Sequence, residues 1–350
     1  MEQAVKGMTM QEALAHLIAG KDLSRVQAEE VMARIMDGEA TPAQIAGVLT
    51  ALRMKGETVD EIAGFAKVMR EKSHRVRTVQ EGLLDTCGTG GSGIRKFNVS
   101  TSSAIIAAAA GIRVAKHGNR AMSGKAGSAD VLEALGVNIR LTPEQAAECL
   151  AETGICFLFA QIYHPSMKHA AGPRRELGVR TIFNLLGPLT NPAGADRQLL
   201  GLYDRTKTET IAEVLRELGI RRAIVAGSFD GLDEISISRE TQVSELKDGE
   251  IRTYVLKPED LGLERRPLEA VAGGTPEENA AIVRRVFRGE ERGAYRDFVL
   301  ANAGACIYLG GKAETLKAGV EAAAAVIDSG AAEAKLEELI RKTGEFADVS

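Results

Sequence analysis

The chain has 350 residues, 45% hydrophobic and 26% charged, enough for one large or two ordinary globular domains with a substantial core. Its net charge of −4, with no lysine–arginine run, no tryptophan and 4% aromatics, argues against a general nucleic-acid binder and for a small molecule held by local cations. Cys87, Cys149, Cys156 and Cys306 show no metal-type spacing, the longest apolar run is too short to span a bilayer, and no basic-then-apolar leader is visible, so the expectation is a reduced cytoplasmic protein with no membrane partner.

Residues 1–72 read as helices alone. Thr9 precedes an apolar-periodic run ending near Gly20, Ser24 can cap a second through Met36, Thr41-Pro42 opens a third, and Thr58 opens a fourth with Ile62, Phe65, Ala66 and Met69 on one face. From about residue 80 the pattern becomes strand, glycine turn, helix, with strand candidates at 83–86, 112–115, 156–159, 198–201 and 222–226. Such alternation predicts a mostly parallel sheet with helices on its faces and ligands at the carboxyl ends of the strands. Residues 164–187 interrupt the rhythm and carry Arg174, Arg175 and Arg180. Residues 233–275 read as short antiparallel strands, and the tail from about 275 is helical, with small-residue surfaces at 301–305 and 322–325 suited to close helix packing.

Gly88, Gly90, Gly91 and Gly93 fall within six residues after the first strand candidate. So little Cβ lets backbone N–H groups approach an anion, and Ser100 and Thr101 are placed to cap the following helix, whose N-terminus favours negative charge. A glycine-rich turn without a ligand is the bland alternative. The spacing also satisfies a dinucleotide fingerprint, but the next strand candidate ends on Lys116 and His117, which suit phosphate better than a ribose diol. A P-loop fails because Ala126 stands where a metal-binding hydroxyl is required. Asp233-Glu234 is either a solvated loop pair or a hard-oxygen Mg²⁺ site. Arg174 is a surface charge or a carboxylate partner, and His164 is a helix cap beside Pro165 or a ligand contact. No Ser-His-Asp or nucleophilic cysteine arrangement is visible, and no acid or base catalyst is assigned.

GTGGSG…FNVST, KHGNRAMSGKAGSADVLEALGVNI, HPSMKHAAGPRRELGVRTIFNLLGPLTNPA and GLDEIS, in that order, resemble the anthranilate phosphoribosyltransferase family over nearly the whole chain. The resemblance implies an α/β fold of the nucleoside phosphorylase/phosphoribosyltransferase kind. It has a small helical domain (1–72, joined by helices from about 165–187) and a larger α/β domain (80–350) with a mostly parallel central sheet flanked by helices. It implies transfer of phosphoribose from 5-phosphoribosyl 1-diphosphate to the amine of anthranilate, with Mg²⁺, in tryptophan biosynthesis, by a homodimer formed through the helical domain.

Matched position by position, the diphosphate-bearing substrate falls to Gly88, Gly91, Ser92, Lys96, Asn98, Val99, Ser100 and Thr101, then to Lys116, His117, Gly118, Asn119, Arg120, Ala121, Met122, Ser123 and Gly124, and to Ser128. Anthranilate falls to Gly88, Asn119 and Arg174, with His117 and His164 lining its entry, and the metal to Ser100, Asp233 and Glu234. One position departs: the family's GTGGDG has an acid where this chain has Ser92, and Arg95 and Lys96 make the turn still more basic. Two other functions share the architecture, pyrimidine nucleoside phosphorolysis and non-catalytic nucleic-acid binding. KHGNR with GSAD, and RRELGVRT, separate the chain from the first, while negative charge and the retained KHGNR and DE motifs count against the second.

Overall fold

The computed structural model describes residues 7–121 and 126–347. The four predicted N-terminal helices form as α1 (Met10–Ile18), α2 (Arg25–Met36), α3 (Pro42–Lys55) and α4 (Val59–Glu71). Thr9, Ser24, Thr41 and Thr58 each close a capping box with the Glu or Gln three residues on, satisfying two orphan N–H donors per helix start. The buried residues of α4 include Ile62, Phe65, Ala66 and Met69, the predicted face.

Seven strands form one sheet in the order β3-β2-β1-β4-β5-β6-β7. They are β1 (Leu83–Gly88), β2 (Arg113–Gly118), β3 (Ile155–Phe159), β4 (Arg197–Gly201), β5 (Arg222–Ser228), β6 (Thr241–Lys247) and β7 (Glu250–Leu256). The first five are parallel, and β6 and β7 add antiparallel at one edge. Three strands outrun the sequence reading. β1 and β5 each continue two residues farther, and β2 continues through Gly118, so Lys116 and His117 lie inside the sheet instead of beyond it. They pair in register with Phe157 and Leu158 of β3, which buries both. Of the predicted antiparallel stretch, only β6 and β7 are strands; Pro258–Leu261 and Leu268–Val271 are 3₁₀ turns.

The sheet separates two apolar clusters, and its period of two deals side chains to each. Leu199, Ile224 and Ala226 join the cluster built with the helices Val99–Ala109 and Ala294–Leu309, whereas Leu200, Ala223 and Val225 join the one built with α1–α4. Segment 164–189 returns to this second cluster through Ala170, Ile182, Phe183, Leu186 and Leu189. Among the described residues no helix is long and apolar enough to cross a membrane. Strand order reverses between β1 and β4, which opens a crevice beyond their carboxyl ends.

Candidate active site

Gly88 and Gly201 end β1 and β4 as register partners, and a Cβ on either would overlap Asp233. Glycine at both strand ends thus lets the 233–234 loop lie directly over the crevice. Gly90, Gly91 and Gly93 have φ of 67°, 75° and 75°, the left-handed region that favours glycine. The turn is tied on three sides. Gly90 N–H donates to Asp233 Oδ2 at 2.8 Å, Thr89 N–H donates to the Gly201 carbonyl at 2.9 Å, and the Arg180 guanidinium donates to the Gly91 carbonyl while stacking over Tyr203. Ser92 lies in this turn, partly buried, its hydroxyl accepting from Ile94 N–H at 3.4 Å.

Asp233 and Glu234 are buried, at 2% and 5% exposure, so the solvated-loop alternative does not hold. Lys96 Nζ lies between them, 2.6 Å from Asp233 Oδ1 and 2.8 Å from Glu234 Oε1. Burial opposes charge on all three groups. At Asp233 the ammonium and the Gly90 N–H overcome it and hold the carboxyl below its usual range. At Glu234 burial and the neighbouring Asp233 charge prevail and push the carboxyl up. At Lys96 the two acids overcome burial and raise the ammonium's affinity for its proton. Two adjacent hard carboxylates fit Mg²⁺, which takes one or two carboxylates and completes its shell with water and substrate phosphate. Among the described residues no group of three or more acids, histidines or cysteines could hold a metal ion by itself.

The next helix, Val99–Ala109, is not capped by Ser100 or Thr101. Asn98 is the N-cap residue, without a side-chain cap bond, because its amide is used elsewhere. It donates to the Ala126 carbonyl at 3.3 Å and accepts from Asn279 Nδ2 at 2.9 Å, tying the helix start to the second loop and to the 271–279 turn. Ser100 and Thr101 lie in the first helical turn, and Thr101 Oγ1 is buried without a partner among the described residues. Val99 packs in the core.

The second loop follows Gly118. Asp130 organises it, accepting from Gly127 N–H at 2.8 Å and Ala121 N–H at 3.1 Å. Ser128 Oγ donates to the Asn119 carbonyl at 3.2 Å. Arg120 is committed to the protein's own acids, with Nη1 2.7 Å from Asp130 and 2.6 Å from Glu133, and lies over Phe159. Lys116 Nζ donates to the Thr86 carbonyl at 2.8 Å beneath the loops. Met122, Ser123 and Gly124 lie outside the described residues.

His117 and His164 meet at 5.1 Å between ring centroids. Burial, the neighbouring His164 and Lys116 drive the His117 imidazole well below its ordinary range, and burial lowers His164 to about 4, so both are neutral near pH 7. Their Nε2 atoms are buried with no hydrogen-bond partner among the described residues. Arg174 is half-buried, its guanidinium 4.9 Å from the Phe183 centroid, with no carboxylate partner among the described residues. Burial lowers its affinity for the proton.

Several polar supports escaped sequence reasoning. Asp85, fully buried, accepts from His117 N–H at 3.0 Å, and burial raises its carboxyl against the pull of Lys116. Asn191 donates to the Ala115 carbonyl at 2.8 Å, and Gln198 to the Pro188 carbonyl at 2.6 Å. The available signal was an acid following Leu83-Leu84 inside a strand pattern, a position where a polar group needs partners.

Two family models match the chain: the glycosyl transferase family helical bundle domain over residues 11–73, and the glycosyl transferase family a/b domain over 80–333. The anthranilate phosphoribosyltransferase of Brevibacillus brevis is 55% identical over 325 residues, covering 93% of this chain and 95% of the relative. That of Acetivibrio thermocellus is 51% identical over 337 residues, covering 96% and 97%. The crystal structure of the Thermus thermophilus anthranilate phosphoribosyltransferase superposes with a TM-score of 0.90 at 48% identity, covering 95% of this chain and 99% of that one. The Saccharomyces cerevisiae enzyme, solved in complex with PRPP and Mg, gives a TM-score of 0.88 at 27% identity, covering 96% and 98%. With both domain models matched and more than half of the residues shared over almost the full length of a relative, the chain belongs to the anthranilate phosphoribosyltransferase family.

Proposed function

We propose that the chain joins the anthranilate amine to C1 of 5-phosphoribosyl 1-diphosphate, breaking the C1–O bond to diphosphate and releasing the amine proton. One observation carries the assignment of the phosphate end: the glycine turn, the buried Asp233–Glu234 pair and Lys96 converge at the switch point of the sheet. Gly88, Gly91, Ser92 and the helix start at Asn98, Val99, Ser100 and Thr101 take the diphosphate. Lys116, His117, Gly118, Asn119, Ala121 and Ser128 frame the phosphoribosyl side, with Arg120 bracing that loop through Asp130. Ser100, Asp233 and Glu234 would hold Mg²⁺, which when bound supplies charge neutralisation for the leaving diphosphate.

Donors fixed before the reaction stabilise the leaving group without reorganising. The substrate brings its own amine, so no strong side-chain base is required. Arg174 pairs with the anthranilate carboxylate, and neutral His117 and His164 line the entry beside Asn119 and Gly88. A homodimer is assigned to the helical layer, where Ile18, Val26 and Met54 are exposed at 72%, 64% and 83%.

Loss of anthranilate fluorescence tests the reading. Consumption is expected only with 5-phosphoribosyl 1-diphosphate and Mg²⁺ together, and folded protein that consumes none under those conditions disproves it. Arg174→Ala is expected to weaken anthranilate use by about 2–4 kcal/mol and diphosphate-substrate binding far less.

A further inference from the structure

We propose that Lys96 is a tethered cation that occupies the Asp233–Glu234 pair in the ligand-free protein and yields it to a divalent metal only when a diphosphate group arrives. This rests on the reading of the two acids as metal ligands. Lys96 bridges both carboxylates within 2.8 Å, and both acids are buried. Lys96 takes one oxygen of each carboxylate and Gly90 N–H takes the other oxygen of Asp233, so a metal ion drawing on both acids competes with the ammonium for the same two charges and meets its repulsion at close range. Lys96 is also held in place by its backbone. Phe97 N–H donates to the Val271 carbonyl at 3.1 Å, and the Phe97 ring packs edge-on against Tyr295 and Phe298. The Lys96 carbonyl lies so close to Gly273 that a Cβ there would overlap it. The stem beyond is a flexible four-carbon chain, so the ammonium can swing while its Cα stays put.

A metal approaching the ligand-free protein must displace the ammonium and leave it beside a cation. When the metal arrives with diphosphate, the phosphate oxygens complete the metal shell and give the ammonium a new partner. Metal affinity is therefore coupled to diphosphate, and by linkage the coupling is reciprocal.

Equilibrium dialysis of the full chain with Mn²⁺, scored as protein-bound metal with and without inorganic diphosphate, tests this. Wild-type protein is expected to bind Mn²⁺ weakly alone and at least tenfold more tightly with diphosphate. Lys96→Met is expected to bind Mn²⁺ alone at least tenfold more tightly than wild type, with most of the diphosphate enhancement gone. Lys96→Arg keeps a cation and should behave as wild type. If Lys96→Met is poorly folded in chelator, its melting temperature should rise with Mn²⁺ alone by more than that of wild type does. Equal Mn²⁺ affinity of folded wild type and Lys96→Met overturns the proposal while leaving the acids as metal ligands. If neither protein binds Mn²⁺ under any condition, and Asp233→Asn/Glu234→Gln still consumes anthranilate normally, the underlying metal reading falls and the proposal with it.

Discussion

Asp233, Glu234 and Lys96 satisfy one another within 2.8 Å at one end of the crevice, whereas His117 and His164 face each other at 5.1 Å with both Nε2 atoms unpartnered among the described residues. The two acids and the two histidines are all buried. In the first set, the ammonium overcomes burial at Asp233 and the two acids overcome it at Lys96, whereas in the second, burial outweighs the backbone hydrogen bonds that favour the imidazolium, so both rings are neutral near pH 7. The contrast matches the two substrates proposed, a polyanion carried with a metal and a flat aromatic acid. It also means that the two ends answer to different perturbations.

The acid pair gives the largest expected effect. Asp233→Asn/Glu234→Gln keeps shape but removes charge, and activity is expected to fall at least about 100-fold in the anthranilate assay. Two adjacent acids considered alone predict a gain in stability from relieved repulsion. With Lys96 between them the sign reverses, and the ligand-free double variant should lose about 1–3 kcal/mol in urea unfolding.

The histidine end should respond to pH instead. Unfolded, these imidazoles titrate near 6.5, while the folded protein lowers His164 to about 4 and His117 in the same direction. The unfolded chain binds more protons in that window, so stability is full above pH 6.5 and is lost as pH falls toward 4. His164 contributes up to about 3 kcal/mol of this dependence. Urea unfolding of wild type and His164→Gln between pH 4.5 and 7.5 measures it; parallel curves would show that His164 is not the group responsible.

Ser92 gives the smallest expected effect. Ser92→Asp supplies the acid that the family resemblance leads one to expect at this turn. Binding of 5-phosphoribosyl 1-diphosphate to the variant should depend more on Mg²⁺, by about 1 kcal/mol, because the turn is only partly buried. Titration calorimetry across Mg²⁺ concentrations decides it, and superimposable curves would make Ser92 an ordinary turn residue.

What could be read from sequence was what acts over short range. Thr9, Ser24, Thr41 and Thr58 stand at the expected helix starts because a capping box links residues only three apart in sequence. The parallel strands were visible as apolar runs separated by glycine turns. Lys96 could be seen as an unusual base, but its partners lie 137 and 138 residues away. Resemblance assigns Arg120 to the substrate loop, and the fold sets its guanidinium against Asp130 and Glu133, in the first and second turns of the helix Ser128–Leu135. The cap expected at Ser100 and Thr101 is absent because the helix already begins at Val99, which makes Asn98 the N-cap, and the Asn98 side chain is engaged by Asn279, 181 residues on. Lys116 and His117 are buried because β3 pairs alongside them, a register that the local pattern does not encode.

The return of residues 170–189 to the cluster of α1–α4 has a consequence for synthesis. The first four helices leave the ribosome before the rest of the described fold, but the side chains that complete their core, Ala170 through Leu189, are made roughly a hundred residues later. The strand residues Leu200, Ala223 and Val225 that close the same core come later still. An N-terminal domain ordinarily folds first as the chain emerges. Here the helical layer must wait, partly covered, until most of the sheet has been translated, so its final packing belongs to the same late event that assembles the crevice.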